Sequence, residues 1–369
     1  MMTRAIPVAI ASLLLSACGG LCACGGARPA TPGVNLDLHV EGNHLFYQGK
    51  PTRLLGVSHS GSEYLCLRGA GAGIFEGPDP DVLATAILSW GHVNTVRLPL
   101  NEDCWLGIRG VSAATGGAAY REAITKYAQR LHARGLFTIV DLHWSSPGAS
   151  PASGQQPMPD ADHAPAFWAS VARAFAADPM TVFDLFNEPF ATPSNTDAVD
   201  PWTCWADGCT VTSSNGGVSG SWRAAGMREL IAAVRGAGAR NVLMLGGLGY
   251  ANDLTGWLAH VPPDPLGQIT ASFHLYNFNP CVDARCWDAQ IAPVAARVPV
   301  VTGELGENDC GRSLLDAYLP WADAHRVSYL GWSWNPWDCA KGPALISGYD
   351  GAPTGFGQGL RDHLAVTLP

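Results

Sequence analysis

Residues 183–190 read FDLFNEPF, and this stretch decides how the rest of the chain is interpreted. Its apolar residues before Asn187 predict a buried strand. The strand is expected to end at Glu188, because Pro189 lacks a backbone N–H and biases the preceding residue away from helical dihedral angles. In a β/α barrel the functional groups come from the carboxyl ends of the strands, which is where Asn187 and Glu188 stand in this stretch.

A second stretch repeats the pattern. Residues 298–306 read VPVVTGELG, an apolar strand that delivers Glu304 at its end. Two carboxylates that face one cleft are the minimum equipment for hydrolysis of a glycosidic bond. The alternative is that each Glu caps the helix that follows it, which is the simpler interpretation of one such Glu by itself. Because the pattern occurs twice, the sequence favours a catalytic pair.

Eight strand candidates alternate with helical patterns. They lie at residues 53–58, 95–100, 137–143, 181–187, 241–247, 269–276, 298–304 and 329–334. Between the second and third, apolar residues recur at helical spacing from Tyr120 to Leu131, and Gly135 stands where a helix cap belongs. This alternation predicts an α/β fold, a (β/α)8 TIM barrel. An open doubly wound sheet is the alternative, but no G-x-G-x-x-G follows the first strand.

Three segments are predicted around this barrel. Residues 1–17 have the positive start, apolar core and small residues of an export signal, and LSAC at 15–18 resembles a bacterial lipobox, so Cys18 is the expected lipidation site. Residues 18–33 are small and Gly-rich, which predicts a flexible tether. Residues 34–369 are expected to form one catalytic domain, and turn signals at 41–43 and 48–50 predict a short β-hairpin at its start that closes the barrel floor.

Composition narrows the possible partners. The net charge is −9 and the chain has no Lys/Arg run, which argues against a nucleic-acid partner. With 47% hydrophobic and 14% charged residues the chain can bury a large core. The 13 tryptophans are unusual, and Trp rings stack on the apolar faces of sugars. We expect a monomer, exported and either lipid-anchored at the bacterial cell envelope or secreted, that meets the membrane only through its lipid anchor.

Eight of the 11 cysteines follow the tether, an even number that predicts disulfides in an exported protein. All eight lie in predicted loops after strands, so only cysteines in the same loop or in adjacent loops can meet. The expected pairs are Cys66–Cys104, Cys204–Cys209, Cys281–Cys286 and Cys310–Cys339. A zinc site is the alternative, because C-x4-C occurs twice, but neither pair is flanked by a second ligand pair at zinc-site spacing.

Polar and aromatic side chains gather at the predicted carboxyl ends of the strands. Besides the two Glu, they are His59, Glu63, Arg97, Asn101, Glu102, His143, Trp144, Asn187, His274, Tyr276, Trp332, Trp334 and Trp337. Arg97 lies in an otherwise apolar strand, where its charge needs a carboxylate partner. His143 alone could equally be a hydrogen-bonded core histidine. The repetition at strand ends favours a functional interpretation of the set.

Six motifs together carry a family resemblance. They are VRLPL at 96–100, DLHW at 141–144, FNEP at 186–189, FHLY at 273–276, TGELG at 302–306 and GWSW at 331–334. With them the chain resembles glycoside hydrolase family 5, the cellulase family of retaining (β/α)8 enzymes, from Gly42 to its end. The resemblance implies that Glu188 is the acid/base and Glu304 the nucleophile, and that no metal or organic cofactor is needed. The resemblance also implies which residues surround the sugar in subsite −1. They are Arg97, His143, Asn187, His274, Tyr276 and one Trp of the eighth strand.

The choice of that Trp rests on strand position. Trp332 and Trp334 point the same way on the predicted eighth strand, and Trp334 is the one nearer its end. We therefore expect the Trp334 indole to face both Glu carboxylates. By resemblance, a cis peptide bond is expected between Trp334 and Asn335. Trp144 and Trp337 are expected as further substrate-binding aromatics.

The predicted function is retaining hydrolysis of a β-linked polysaccharide or oligosaccharide, with endo-β-1,4-glucanase activity (a cellulase) first. The first alternative is the same mechanism on another β-glycan, such as mannan, xyloglucan or β-1,3-glucan. The second is a non-catalytic glycan-binding lipoprotein, which the presence of both Glu speaks against. Two long loops, 145–164 with Gln155 and Gln156 and 191–221 with two Trp, are expected to wall the cleft and to select the sugar.

Overall fold

The structure is a computed structural model that describes residues 37–69, 71–190 and 197–368. The predicted export signal, the tether and Cys18 lie outside the described residues. Among the residues described, no helix combines the length and the apolar character needed to cross a membrane.

A closed barrel of eight parallel strands organises the described chain. The described residues form further strands outside this barrel, and all are numbered here in chain order. They are β1 (His39–Glu41), β2 (His44–Tyr47), β3 (Lys50–Thr52), β4 (Leu55–Ser58), β5 (Thr95–Asn101), β6 (Phe137–Trp144), β7 (Thr181–Asp184), β8 (Thr210–Ser213), β9 (Gly220–Arg223), β10 (Leu243–Gly246), β11 (Ile269–Tyr276), β12 (Val300–Gly306) and β13 (Ser328–Gly331). The barrel order is β4-β5-β6-β7-β10-β11-β12-β13, with β13 pairing back to β4. This confirms the predicted (β/α)8 barrel, and the open doubly wound sheet is wrong.

Helices follow the barrel strands and cover their outer face. They are α1 (Pro80–Leu88), α2 (Glu102–Leu106), α3 (Ala118–Ala133), α4 (Ala164–Phe175), α5 (Pro201–Asp207), α6 (Met227–Gly236), α7 (Trp257–His260), α8 (Ala284–Gln290), α9 (Ala292–Ala295), α10 (Ser313–Ala324) and α11 (Gly355–Leu364). The face of α3 that its spacing predicts is the buried one, from Tyr120 to Leu131. Gly135, at φ 77°, follows α3 in the left-handed conformation that suits glycine.

The N-terminal sheet closes one end of the barrel. It is antiparallel in the order β1-β2-β3, one strand more than the predicted hairpin. Leu38 and Leu45 share a buried cluster with Phe137 and Val242, which stand at the amino ends of barrel strands. The backbone N–H of Val40 also donates to Oε1 of Gln268 at 2.7 Å. The predicted floor is therefore confirmed, and the opposite end, where the strands finish, is left for the site.

Two barrel strands end three residues earlier than predicted, β7 at Asp184 and β13 at Gly331. Beyond Asp184, Leu185 N–H still donates to the carbonyl of Met244 in β10, but Asn187 N–H donates to that of Leu142 in β6, so the backbone turns from one neighbouring strand to the other. The residues that follow these two strands therefore do not keep the alternation of a strand. The segment after β7 also contains an unpredicted hairpin, β8-β9.

Four disulfides tie the loops that follow the strands. The pairs are those predicted: Cys66–Cys104, Cys204–Cys209, Cys281–Cys286 and Cys310–Cys339. Each of these eight sulfurs is bonded to its disulfide partner, so none is free to bind a metal. The alternative of a zinc site at the C-x4-C pairs is therefore wrong. Four disulfides also indicate an extracellular protein.

Removing a disulfide is expected to lower the melting temperature more when the loop that it closes is longer. The Cys66–Cys104 bridge spans 38 residues and Cys204–Cys209 spans five. Chain-entropy arguments assign about 4 kcal/mol to the first and about 2 kcal/mol to the second. Calorimetry of the two Cys→Ser double variants measures this order, and a larger loss from the five-residue pair would contradict it.

Candidate active site

Seven residues predicted from the sequence meet at the carboxyl ends of the strands. Arg97 comes from β5, His143 from β6, His274 and Tyr276 from β11 and Glu304 from β12, while Asn187 and Glu188 follow β7. One network of hydrogen bonds and ion pairs connects all of them. The network draws on five of the eight barrel strands, so its geometry depends on the closed barrel.

Arg97 is the centre of this network and is fully buried. Its guanidinium donates to Glu304 Oε1 at 2.8 Å and to Asn187 Oδ1 at 2.7 Å. It also lies 3.1 Å from Asp184 and 3.3 Å from Asp141. Burial alone would lower the pKa of Arg97, but these carboxylates outweigh burial and raise it. A permanent positive charge is thus fixed beside Glu304.

Glu304 is held from both sides of its carboxylate. Arg97 donates to one oxygen, and the Tyr276 hydroxyl donates to the other. The Nδ1 atom of His274 lies 3.6 Å from Glu304 Oε2. Burial, with the charges of Glu304 and Glu188, raises the pKa of Tyr276 well above its ordinary value, so the phenol keeps its proton and can donate. Glu304 is therefore fixed in one orientation.

Glu188 faces Glu304, and each of its two carboxylate oxygens has a hydrogen-bond partner. His274 Nδ1 is 2.9 Å from Oε1, and Gln155 Nε2 donates to Oε2 at 2.9 Å and to the Glu188 carbonyl at 3.1 Å. Burial raises the pKa of Glu188, and the hydrogen bond from Gln155 partly opposes this rise. Burial lowers the pKa of His274 to about 4, so its ring is neutral at pH 7. The site thus favours a protonated Glu188 beside a neutral histidine.

The two carboxylates are close together. One oxygen of Glu188, one oxygen of Glu304 and a ring nitrogen of His274 all lie within 4.8 Å of one another. In retaining enzymes the carboxyl groups are about 5–5.5 Å apart, whereas inverting enzymes leave about 6.5–9.5 Å for a water. The spacing fits direct attack by one carboxylate.

His143 and Trp332 form one wall beside this pair. The His143 ring stacks on the Trp332 indole at 5.4 Å between centroids with 6° between the planes. His143 Nδ1 is 2.8 Å from Asp141 Oδ2. Burial would lower the pKa of His143, but Asp141 outweighs it and raises the pKa to about 9. At neutral pH this wall therefore carries an imidazolium over a flat, partly exposed ring.

The prediction for Trp334 is wrong. Trp334 is fully buried and packs edge-on against Trp90 at 4.6 Å. The cis peptide bond joins Trp332 and Ser333, not Trp334 and Asn335. The physical reason is that β13 ends at Gly331, so strand alternation does not extend to Trp334, whose N–H donates instead to the carbonyl of Ser58. Trp332, and not Trp334, is the Trp of this segment that stacks on His143.

Trp144 and Trp337 lie on the rim, both partly exposed. The Trp144 ring is 6.1 Å from that of Tyr64, whose hydroxyl donates to Glu76. Trp337 Nε1 donates to the same carboxylate at 3.3 Å. Glu76 therefore holds two separate aromatic elements of the rim in place, and neither Trp joins the hydrogen-bond network around Arg97.

Three members of the site were missed by sequence reasoning. Asp141 could have been found, because it stands two residues before His143 and so faces the same side of the strand. Asp184 is a charge inside an apolar strand, the same signal that singled out Arg97. Gln155 was assigned to a cleft wall, but its contact with Glu188 crosses from a long loop, and no spacing in the sequence indicates that contact.

Two groups of described residues have the geometry to hold a metal ion. One is Glu188, His274 and Glu304; the other is Glu102, Asp160 and His163. In the first, Arg97 already supplies a positive charge 2.8 Å from Glu304. In the second, Arg109 lies 3.5 Å from Glu102 and 2.9 Å from His163. Hydrogen bonds and a guanidinium therefore account for both groups without a cation.

Known proteins share this architecture. The family described as Cellulase (glycosyl hydrolase family 5) matches residues 48–338. The chain is 24% identical over 344 residues to a mannan endo-1,4-beta-mannosidase of Streptomyces lividans, covering 90% of this chain and 73% of that protein. A beta-glucanase from Saccharophagus degradans has a TM-score of 0.65 at 20% identity, covering 92% of this chain and 97% of the other. A beta-mannanase from Streptomyces thermolilacinus with mannohexaose has a TM-score of 0.62 at 20% identity, with 91% and 97% covered.

The two solved structures show that the fold is shared, and the family match covers most of the chain, including every strand of the barrel. The residues that carried the sequence resemblance lie inside the matched range. The chain therefore belongs to glycosyl hydrolase family 5, and it is a retaining glycoside hydrolase that acts on β-glycans.

Proposed function

We propose that this protein is an endo-acting hydrolase of β-1,4-linked glycans, with Glu304 as nucleophile and Glu188 as acid/base. The observation that carries the proposal is the pair of carboxylates within 4.8 Å of each other, each held by its own donors. The non-catalytic alternative is disfavoured, because such a precise arrangement of both groups has no use in binding alone.

In the first step Glu304 attacks the anomeric carbon. Arg97 and Tyr276 hold its carboxylate in place, so little motion is needed for attack. The bond from the anomeric carbon to the leaving oxygen breaks, and Glu188 gives its proton to that oxygen. Asn187 uses Oδ1 to accept from Arg97, which leaves its amide nitrogen to donate to the sugar 2-hydroxyl.

In the second step Glu188 works as a base. Once Glu304 is an ester, a negative charge close to Glu188 is gone, and the pKa of Glu188 falls. Glu188 then removes a proton from water, which attacks the anomeric carbon and releases Glu304. The neutral His274 remains 2.9 Å from Glu188 through both steps and can orient it in either protonation state.

The sugar is the open part of the proposal, and two β-1,4-glycans are supported. β-1,4-Glucan follows from the sequence resemblance, and β-1,4-mannan is favoured by the match to the Streptomyces lividans mannosidase. A panel of carboxymethylcellulose, glucomannan, galactomannan, xyloglucan and β-1,3-glucan tests both. Viscosity and reducing ends are measured together, because an endo enzyme lowers viscosity while few reducing ends have formed.

The panel has clear outcomes. Rapid viscosity loss on cellulose derivatives or on mannans supports the proposal and selects the sugar. Activity confined to β-1,3-glucan would contradict the β-1,4 assignment. Activity confined to xyloglucan would keep the β-1,4 linkage, because its backbone is β-1,4-glucan, but would contradict unsubstituted glucan or mannan as the substrate. A slow, parallel change of viscosity and reducing ends would contradict endo action.

The Trp332→Ala and Trp334→Ala variants are expected to differ: the first should lose activity and the second should lose stability. Trp332→Ala removes a partly exposed ring beside the reacting sugar, so kcat falls while the melting temperature changes little. Trp334→Ala opens a cavity in the core, a change that costs about 3–5 kcal/mol of unfolding free energy. Kinetics and thermal denaturation of both variants check this, and the reverse pattern would contradict the exchange of roles.

Gln155→Met is expected to move the alkaline limb of the kcat/KM profile to higher pH. Gln155 donates to the Glu188 carboxylate, which favours the charged form and lowers the pKa of Glu188. Without this donor the pKa of Glu188 rises further, so the acid stays protonated to a higher pH. The pH profile of kcat/KM on a polymeric substrate measures the shift.

Gln156→Met is the matched control. Gln156 lies in the same loop, but its Nε2 donates to the carbonyl of Asn215 and not to Glu188. The alkaline limb of the kcat/KM profile of the Gln156→Met variant should coincide with that of the wild type. A limb that is unmoved in Gln155→Met, or moved to lower pH, would show that Gln155 does not tune Glu188.

We also propose from the sequence that residues 1–17 direct export and that Cys18 carries a lipid anchor. The lipobox-like LSAC supports this, and the four disulfides agree with an extracellular location. Mass spectrometry of the N-terminal peptide from the native host tests it. An unmodified N-terminus beyond Cys18 in the mature protein would point to simple secretion.

A further inference from the structure

The proposed catalytic pair divides the mouth of the barrel into two unequal arcs. Glu188 follows β7 and Glu304 lies on β12. Going one way around the closed barrel, only β10 and β11 stand between them; going the other way, β13, β4, β5 and β6 do. We name these the short arc and the long arc. A glycan cleaved between the two carboxylates has one part over each.

Under the proposed function, the sugar that is attacked lies over the long arc. Trp332 follows β13 and His143 lies on β6, and their stacked rings flank the carboxylates from that side. The leaving part of the glycan must then extend over the short arc, beside Glu188, which has to reach the leaving oxygen within hydrogen-bond distance.

Two exposed aromatic rings stand on the short arc. In the described chain the large apolar side chains that are exposed are Val82, Tyr250, Leu258, Phe278, Val366 and Leu368. Tyr250 follows β10 and is 47% exposed, and Phe278 follows β11 and is 61% exposed. The other four lie in helices or near the end of the chain. Exposed apolar groups that gather at a cleft mark a binding surface.

Each exposed ring rests on a second ring that belongs to the site. Tyr250 stacks on Phe190, two residues after Glu188, at 4.3 Å between centroids. Phe278 stacks on Tyr276, whose hydroxyl donates to Glu304, at 5.1 Å and 9° between planes. The outer faces of both rings are thereby oriented by residues adjacent to the carboxylates. Flat, fixed aromatic faces suit the C–H faces of pyranose rings.

The backbone that carries Tyr250 is held in an uncommon conformation. Residues 249–251 all have positive φ, at 62°, 60° and 56°, and two of them are not glycine. Such residues persist where the surroundings enforce them, often at binding sites. Here Tyr250 N–H donates to the carbonyl of Pro189, and His274 N–H donates to that of Ala251. The turn is therefore fastened to the segments of both Glu188 and His274.

We propose that Tyr250 and Phe278 form the binding platform for the leaving side of the substrate, taking β-linked pyranosides beyond the cleaved bond. The inference rests on the proposed function and assigns direction to it: the chain of the glycan runs from the long arc, past the carboxylates, onto these two rings. A free glycan that binds there can also replace water in the second step: one of its hydroxyls gives its proton to Glu188, its oxygen bonds to the anomeric carbon, and the ester bond to Glu304 breaks to release the carboxylate.

The test compares Tyr250→Ala, Phe278→Ala and the double variant with the wild type on two kinds of substrate. Cellohexaose and mannohexaose place sugars on both arcs. β-Glycosyl fluorides of the matching trisaccharides place sugar only on the long arc, because the leaving group is fluoride. On the hexaoses each variant should raise KM about tenfold, the size of one well-placed aromatic contact. Product lengths should also change, and transfer products should decrease.

On the fluorides the same variants should match the wild type. Leu258→Ala, which removes an exposed apolar side chain in α7, is the matched control and should change neither substrate. Unchanged KM and products on the hexaoses, or an equal loss on the fluorides, would overturn the platform while leaving the hydrolase proposal intact. A wild type inactive on both hexaoses would overturn the proposed function, and the platform with it.

Discussion

Replacing Glu304 by Gln is expected to lower kcat about 10⁴- to 10⁶-fold, the scale on which loss of a catalytic nucleophile acts. The amide cannot form the ester with the sugar, so the first step fails for every leaving group. Its shape is nearly that of Glu: the one amide oxygen can still accept from Arg97, and the amide nitrogen can donate to the Tyr276 hydroxyl oxygen. The measurement is the initial rate of reducing-end formation on whichever glycan the panel selects, with binding of the same glycan followed by calorimetry.

Folding and binding serve as controls for this variant. Its melting temperature should stay near that of the wild type, and it should still bind the glycan. A glycosyl fluoride should not restore activity, because a better leaving group does not replace a nucleophile. Turnover near the wild-type rate would remove Glu304 from its assigned role.

Replacing Glu188 by Ala is expected to lower kcat about 10²- to 10⁴-fold on ordinary glycan, the usual contribution of a general acid–base group. Substrates whose leaving groups need no proton should react with Glu304 at a nearly normal rate. The second step then lacks its base, so the covalent glycosyl-enzyme should accumulate, and mass spectrometry of the intact protein can detect it.

Azide distinguishes this role from a structural one. A small anion can occupy the space left by the Glu188 side chain and attack the ester, and the product is a glycosyl azide of retained configuration. Azide should accelerate Glu188→Ala and have no such effect on Glu304→Gln. Equal responses of the two variants, or no rescue at all, would contradict the division of roles between the two Glu.

Much of the fold and site follows from local patterns. Eight alternations of strand and helix are enough to predict the barrel. Glu188 and Glu304 are recognisable as charged residues at the ends of predicted apolar strands. Arg97 is recognisable for the same reason, since a buried guanidinium requires carboxylates around it. The cysteine pairs also follow, because each partner lies in the same loop or an adjacent one.

The errors occur where the chain leaves its regular elements. The prediction of Trp334 assumes that the eighth strand continues to residue 334 and prefers the Trp nearer its end, but β13 ends at Gly331 and neither Trp lies on it. Gln155 meets Glu188 through the path of a long loop, and Tyr250 is exposed because of a turn with positive φ. These features depend on the backbone of irregular segments, which hydrophobic periodicity does not describe.

The order of the disulfides bears on how the protein is made. Each of the four bridges joins a cysteine of the barrel domain to the very next one along the chain, so no bridge encloses or crosses another. A chain that emerges from its amino end presents these cysteines to the oxidising compartment in pairs that are already native. Oxidation in order of appearance would thus give the correct set directly, and we expect the yield of native protein to be insensitive to removal of a disulfide isomerase.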